Sequence, residues 1–269
     1  MSAVVDDLLA KHRALWALGD YAAIAAEVVA PLGPELVAAC GVGTRDRVLD
    51  VAAGTGDAAI PAAVTGARVV ASDLCPELVQ RGRQHATDRG VELQWREANA
   101  EALPFGDDEF DVVMSCIGVM FAPHHQQAAD ELIRVCRPGG RIGVISWTPE
   151  GFIGQLFATM KPYVPAPPAG VSAPPLWGSE DYVRALFGDA VVDISAQRRD
   201  LSVGTFADGA AFRDYFKANY GPTIAAYRGI ADDPARVAEL DADIAALGDR
   251  SISDGSMAWQ YLLVTARKR

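Results

Sequence analysis

A chain of 269 residues, 50% hydrophobic and 22% charged, can bury roughly three quarters of its unfolded surface and needs no disulfide or metal staple. A net charge of −11 and a pI near 4.8 disfavour nucleic acid and anionic membranes as partners, and no Lys/Arg run exists beyond Arg267, Lys268 and Arg269. The four cysteines, Cys40, Cys75, Cys116 and Cys136, form no CxxC pair and no zinc-spaced cluster, so they read as free thiols with no metal bound.

Residues 1–40 read as a helical cap. Val5, Leu8, Leu9, Leu15 and Trp16 make an apolar stripe, and a second helix restarts after Gly19 with Asp20 as its N-cap. Asp6 and Asp7 stand where a signal peptide would be basic, and no apolar run approaches about 18 residues; a cytoplasmic protein is expected. From Arg47 the pattern alternates strand and helix. "RVLDVAA", "ARVVASDL", "ELQWREAN", "FDVVMSC" and "RIGVISW" are five apolar strands. Helices are expected after Asp57, from Pro76 to a stop at Gly90, and from His124 to Cys136, where "RPGG" ends the last of them. Such alternation means a parallel α/β sheet with right-handed crossovers.

After Trp147 the rhythm breaks. "KPYVPAPPAGVSAPP" holds six of the 16 prolines and reads as a loop. A short helix "EDYVRALFG" and a strand "AVVDISAQ" follow. Residues 205–248 are expected to hold two helices, an aromatic one with Phe206, Phe212, Tyr215, Phe216 and Tyr220, and one capped by Asp233. "MAWQYLLVTARKR" is the final strand. The chain thus reads as one domain: the cap, a core over 45–147, insertions over 148–256, and the last strand over 257–269.

Ligands of open α/β sheets lie beyond the carboxyl ends of the strands. Here those ends supply "DVAAGTGD", a turn with Gly54 and Gly56, then Asp73 about twenty residues further on, where an acid can hold a ribose, then Asn99 and Cys116. No GxGxxG is present, since Asp57 and Ala58 follow Gly56. Asp50, an acid in an apolar strand, would repel a pyrophosphate and suit a cationic ligand.

Four blocks, "VLDVAAGTGD", "VVASDLCPELV", "ANAEALPFGDDEFDVVMS" and "LIRVCRPGGRIGVISW", stand in family order over about residues 45–147. On them the chain resembles a class I S-adenosylmethionine-dependent methyltransferase, of the ubiquinone/menaquinone C-methyltransferase and small-molecule branch. The resemblance implies a Rossmann-like, doubly wound, mostly parallel seven-stranded sheet with N-terminal helices and a helical lid before the last strand. It implies S-adenosylmethionine as methyl donor and S-adenosylhomocysteine as product. Asp50, Ala52, Gly54 and Gly56 would line the methionine part, with Ala52 where the family usually has Gly. Asp73 would hold the ribose, and Leu74 would pack on adenine. Asn99, where the family more often has Asp, would face the adenine amino group, with Ala100 offering its backbone N–H. Cys116 would lie beside the methionine moiety, and Tyr21 in the cap would reach cofactor or substrate.

His124 and His125 follow strand four and are candidate general bases for a phenol, a carbon acid or an amine; otherwise they are solvent-facing first-turn residues. His12 and His85 read as unrelated to the chemistry. Trp147, Trp177, Tyr215 and Tyr220 are candidate acceptor-pocket residues, suited to a small hydrophobic or aromatic molecule. A non-catalytic binding protein and a nicotinamide-dependent oxidoreductase are the competing readings, and a homodimer is left open.

Overall fold

The computed structural model describes residues 3–269; the side chains of Val5, Asp6 and Asp7 lie outside the described set. The cap is α1 (Ala3–Trp16), α2 (Tyr21–Ile24), a π turn over Ala25–Val29, and α3 (Leu32–Ala39). Asp20 caps α2 as expected, its carboxylate accepting from the N–H of Ala23 at 3.3 Å.

The core follows as β1 (Arg47–Val51), α4 (Ala59–Val64), β2 (Arg68–Asp73), α5 (Pro76–Asp88), β3 (Gln94–Glu97), β4 (Phe110–Cys116), α6 (His125–Val135) and β5 (Cys136–Trp147). Pro76 opens α5, and Gly90 follows its end with φ +66°. Strand β5 begins earlier than the sequence suggests. The Arg137–Gly140 stretch joins it as an irregular entry, with Gly139 at φ +71° and a register shift opposite Phe110 and Val112.

The remainder is α7 (Phe152–Met160), α8 (Glu180–Phe187), β6 (Val191–Val203), α9 (Gly209–Asn219), α10 (Gly221–Gly229), α11 (Pro234–Ser251), β7 (Ile252–Ser253) and β8 (Ser256–Lys268). Two helices here have no counterpart in the sequence reading. Helix α7, "FIGQLFATM", is apolar along nearly its whole length, with only Gln155 and Thr159 polar, so its sequence lacks the charged face that marks an amphipathic period. Helix α10 is bounded by glycines and opens on Pro222, which reads as a loop signal. Residues 205–248 therefore hold three helices.

The sheet runs β3-β2-β1-β4-β5-β8-β6, with the two-residue β7 pairing β8 off this path. Strands β1 to β5 pair in parallel, and β8 is antiparallel to both neighbours. Leu49 in β1 sits between Val70 and Val113 and is fully buried. The chain winds outward through β2 and β3, then returns to β4 beside β1. The strand order reverses at β1/β4, and the crevice beyond that point is where a ligand is held.

Candidate active site

One cavity opens beyond the carboxyl ends of β1 to β5, with about 1300 Å³ of empty space when its mouth is included. Ten of the expected site residues line it: Tyr21, Ala52, Gly54, Asp73, Leu74, Asn99, Ala100, Cys116, Trp147 and Tyr220.

The backbone at the strand ends is unusual and firmly tied. Ala52 and Ile117 adopt φ of +54° and +63°, and Gly54 adopts +56°. Left-handed backbone at non-glycine residues persists only where the surroundings impose it. Here the N–H of Ile117 donates to Ile145 O, and Ser115 Oγ donates to Val51 O while accepting from the N–H of Val119. Gly118 must be glycine, because a Cβ there would meet Ala52 O at 2.1 Å. At Gly54 a Cβ would meet nothing within 4 Å, so this stretch of wall is open backbone.

Asp73 is a buried acid held at both oxygens. Oδ2 accepts from the N–H of Gly54 at 2.8 Å and Oδ1 from the N–H of Cys75 at 2.9 Å. A carboxylate has about four lone-pair sites, so roughly two remain for a ligand. Burial raises its pKa, and the N–H groups of Cys75, Gly54 and Leu74 oppose the rise. Asn99 Oδ1 accepts from the N–H of Glu101 at 3.0 Å, which fixes the amide orientation. Its NH₂ group is thereby the donor available to a ligand, favouring a ring nitrogen over an exocyclic amine.

Asp50 and Gly56 stand behind the wall. Gly56, at φ +95°, packs where a Cβ would meet Trp95 at 2.9 Å. Asp50 is 1% exposed, and neither carboxylate oxygen has a hydrogen-bond partner. Burial drives its pKa well up, the charge of Asp57 adds to the rise, and the nearby Ala59 N–H offsets only part. Asp57 lines the cavity, and burial lifts its pKa to about 6 against a Thr55 hydrogen bond. Asp57 raises the pKa of Asp50, and of the two only Asp57 feels a protein cation, Arg89, which opposes its rise; such a pair of acids suits a cationic ligand. Asp57 is legible as the last letter of "GTGD", where it served only to exclude a third glycine.

Asp57 also sets a pH dependence. Its folded pKa, about 6, lies above the ordinary 3.8, so the ligand-free fold binds this proton more tightly than the unfolded chain does. Its contribution to stability is complete below about pH 3.8 and is lost as pH rises through about 6. Calorimetric melts of the ligand-free protein and of Asp57→Asn should differ by a slope between these pH values, present in the former only.

The histidines fall differently from expectation. His125 does not line the cavity: it is 1% exposed, with Nε2 3.0 Å from Met120 O and Nδ1 3.1 Å from Tyr182 Oη. Burial pushes its pKa down to about 4. It is a neutral imidazole tying α6 to α8, with both nitrogens engaged. His124 lies outside the cavity wall too, its N–H donating to Glu101 Oε1 at 2.6 Å and its Nδ1 3.1 Å from Oε2. His12, set aside in the sequence, is the imidazole in the wall.

Two of the expected acceptor-pocket residues are absent from the cavity lining. Trp177 is 1% exposed against His125 and Phe187, and Tyr215 packs on Phe206 at 5.4 Å. Trp16, Phe121, Phe216 and Trp259 take their places in the wall. Aromatic contacts close a circuit over the site: Trp16 to Tyr21 (5.6 Å), Tyr21 to Tyr220 (6.3 Å), Tyr220 to Phe157 (6.4 Å), Phe157 to Phe121 (6.0 Å) and Phe121 to Trp16 (4.6 Å). The circuit is clamped where Tyr21 Oη accepts from the N–H of Gly221 at 3.1 Å and the N–H of Asp20 donates to Asn219 O at 2.9 Å. Only the pairing of cap with insertion creates it, so linear sequence gives no signal for it.

Residues 48–140 match the family model described as a methyltransferase domain. An uncharacterized protein of Mycobacterium tuberculosis is 58% identical over 262 residues, 97% of this chain and 96% of that protein. The demethylmenaquinone methyltransferase of Thermus thermophilus is 41% identical over 115 residues, 41% of this chain and 52% of that protein. Among solved structures, the YcgJ protein of Bacillus superposes with a TM-score of 0.61 at 18% identity, covering 88% of this chain and 98% of that one. A geranyl diphosphate methyltransferase in complex with S-adenosylmethionine gives 0.55 at 18% identity, over 89% and 85%. With the four sequence blocks, the strand order and the matched domain in agreement, the chain belongs to the class I S-adenosylmethionine-dependent methyltransferases, and it shares nearly its whole length with the mycobacterial protein.

Proposed function

We propose that the protein methylates a small, apolar, planar organic acceptor. The observation that carries this is the chemical gradient across one cavity. Its acids and amide are Asp73, which ends β2, with Asp57 and Asn99 in the turns that follow β1 and β3. Its aromatic residues Trp147 and Trp259 come from β5 and β8, on the other side of the switch point, joined by Phe216 and Tyr220 of the insertion.

The first end fits S-adenosylmethionine. Asp73 has lone pairs to spare for ribose hydroxyls, Asn99 offers donors to adenine, and open backbone at Gly54 admits close approach. Asp50 and Asp57 are acids whose ionisation burial opposes and an amino-acid ammonium would favour. When bound, S-adenosylmethionine supplies a methyl group already activated by a sulfonium sulfur. The protein's part is to orient the acceptor and to exclude water, and restricting the reacting groups can supply roughly 7–11 kcal/mol of barrier lowering. Aromatic walls suit both tasks for an apolar ring.

S-Adenosylmethionine and S-adenosylhomocysteine should each raise the melting temperature, by about 2.7 kcal/mol of linkage at a hundredfold excess over Kd, whereas NAD should not. A panel of labelled methyl-transfer reactions then reads the acceptor. Transfer confined to hydrophilic acceptors would refute the apolar assignment.

A further inference from the structure

We infer that His12 is the general base of the acceptor site and that the acceptor class is a hydroxyarene or enol, whose acidic O–H it deprotonates. This rests on the methyl-transfer reading above. Leu9, His12 and Trp16 recur at three- and four-residue spacing on α1 and all face the cavity. His12 thus stands beside the aromatic circuit, in the same cavity as the donor-side cradle of Gly54 and Asp73.

The surroundings of His12 match the task. Among the described residues, two ionisable groups act on it electrostatically: Glu101, from the turn after β3, and His124, immediately before α6. Arg13, the next residue on α1, is turned away to pair with Glu97 at 2.5 Å. The Glu101 side chain is 7% exposed and is locked by the His124 N–H at 2.6 Å and by His124 Nδ1 at 3.1 Å. Burial lowers the His12 pKa, Glu101 opposes the fall, and His124 adds to it. Burial thus favours the neutral imidazole, the form that can accept a proton, and a fixed carboxylate is within electrostatic reach of the imidazolium that forms. In the step itself the acceptor O–H bond breaks, its proton binds the free imidazole nitrogen, and the electron pair stays on oxygen as the nucleophile. A neutral phenol or enol is a poor nucleophile and an aromatic pocket is a poor medium for a free phenolate, so a base at this wall is what such an acceptor needs.

The test uses the full chain, with S-adenosylhomocysteine binding read by calorimetry and turnover read with S-adenosylmethionine and a phenolic acceptor. His12→Asn and His12→Gln should bind S-adenosylhomocysteine within about twofold of wild type but lose about 10²–10⁴-fold in kcat, with KM for the phenol far less affected, and lose the acidic limb of the pH profile. A phenol made more acidic by an electron-withdrawing ring substituent should recover much of that loss. Variants that keep the wild-type kcat, or that lose it while keeping the acidic limb, overturn the assignment of His12, and turnover confined to acceptors without an acidic O–H overturns the acceptor class. Failure of the wild type to bind S-adenosylhomocysteine at all would instead overturn the methyl-transfer reading, and calorimetry separates the two.

Discussion

Asp73→Ala should abolish the thermal response to S-adenosylmethionine and S-adenosylhomocysteine and weaken binding by at least about a hundredfold. Hydrogen bonds to a charged group contribute about 1.5–3 kcal/mol each, and two of them to a ribose would account for that loss. The substitution also strands the N–H groups of Gly54 and Cys75, which now donate to the carboxylate. The turn after β1 is thereby uncoupled from the end of β2, so some loss of fold stability should accompany the loss of binding. Asp73→Asn sharpens the test. It keeps the size but sets an NH₂ against one of the two backbone donors, so it should behave much like alanine in binding. Isothermal titration of both variants reads this directly, and near-wild-type affinity in Asp73→Asn would show that the acid is only a backbone clamp.

Asp50→Leu should do the reverse to the empty protein. A buried carboxyl group with neither oxygen partnered is destabilising, and an apolar side chain of similar size removes that penalty. The ligand-free protein should gain about 1–3 kcal/mol and several degrees in Tm. The variant should then respond weakly to S-adenosylmethionine, because the carboxyl group that a cationic ligand would help to ionise is gone. Asp50 is thus read as stability sacrificed for a cation site. A lower Tm with an unaltered ligand response would make it an ordinary structural acid.

The donor half of the site was readable because it is local. The strand-turn motif at 48–57 and the acid ending β2 occupy short stretches whose residue types are dictated by backbone geometry and by the ligand's charge. Even there, Asp50 and Gly56 prove to stand behind the wall while Asp57 forms part of it. The acceptor half was poorly readable. Trp177 and Tyr215 look like pocket aromatics in sequence, but Trp177 fills the core and Tyr215 packs half-buried against it, while Phe121 and Trp259 look like core and line the cavity. Aromatic residues carry the same apolar signal in both places, and only tertiary packing separates them. The histidines fail for the same reason. His124 and His125 follow a strand end, yet one serves Glu101 and the other knits α6 to α8, and His12 reaches the cavity from far away in the chain.

The circuit of Trp16, Tyr21, Phe121, Phe157 and Tyr220 has a further consequence, for the order in which the protein acquires its two halves. The donor cradle is assembled from contacts between neighbouring strand-turn units. The circuit needs residues from near both ends of the chain to meet, which is the slowest kind of contact to form. The acceptor chamber should therefore close late in folding and open early in partial unfolding, which hydrogen exchange would show as weaker protection in α1 and α9 than in β1 and β4.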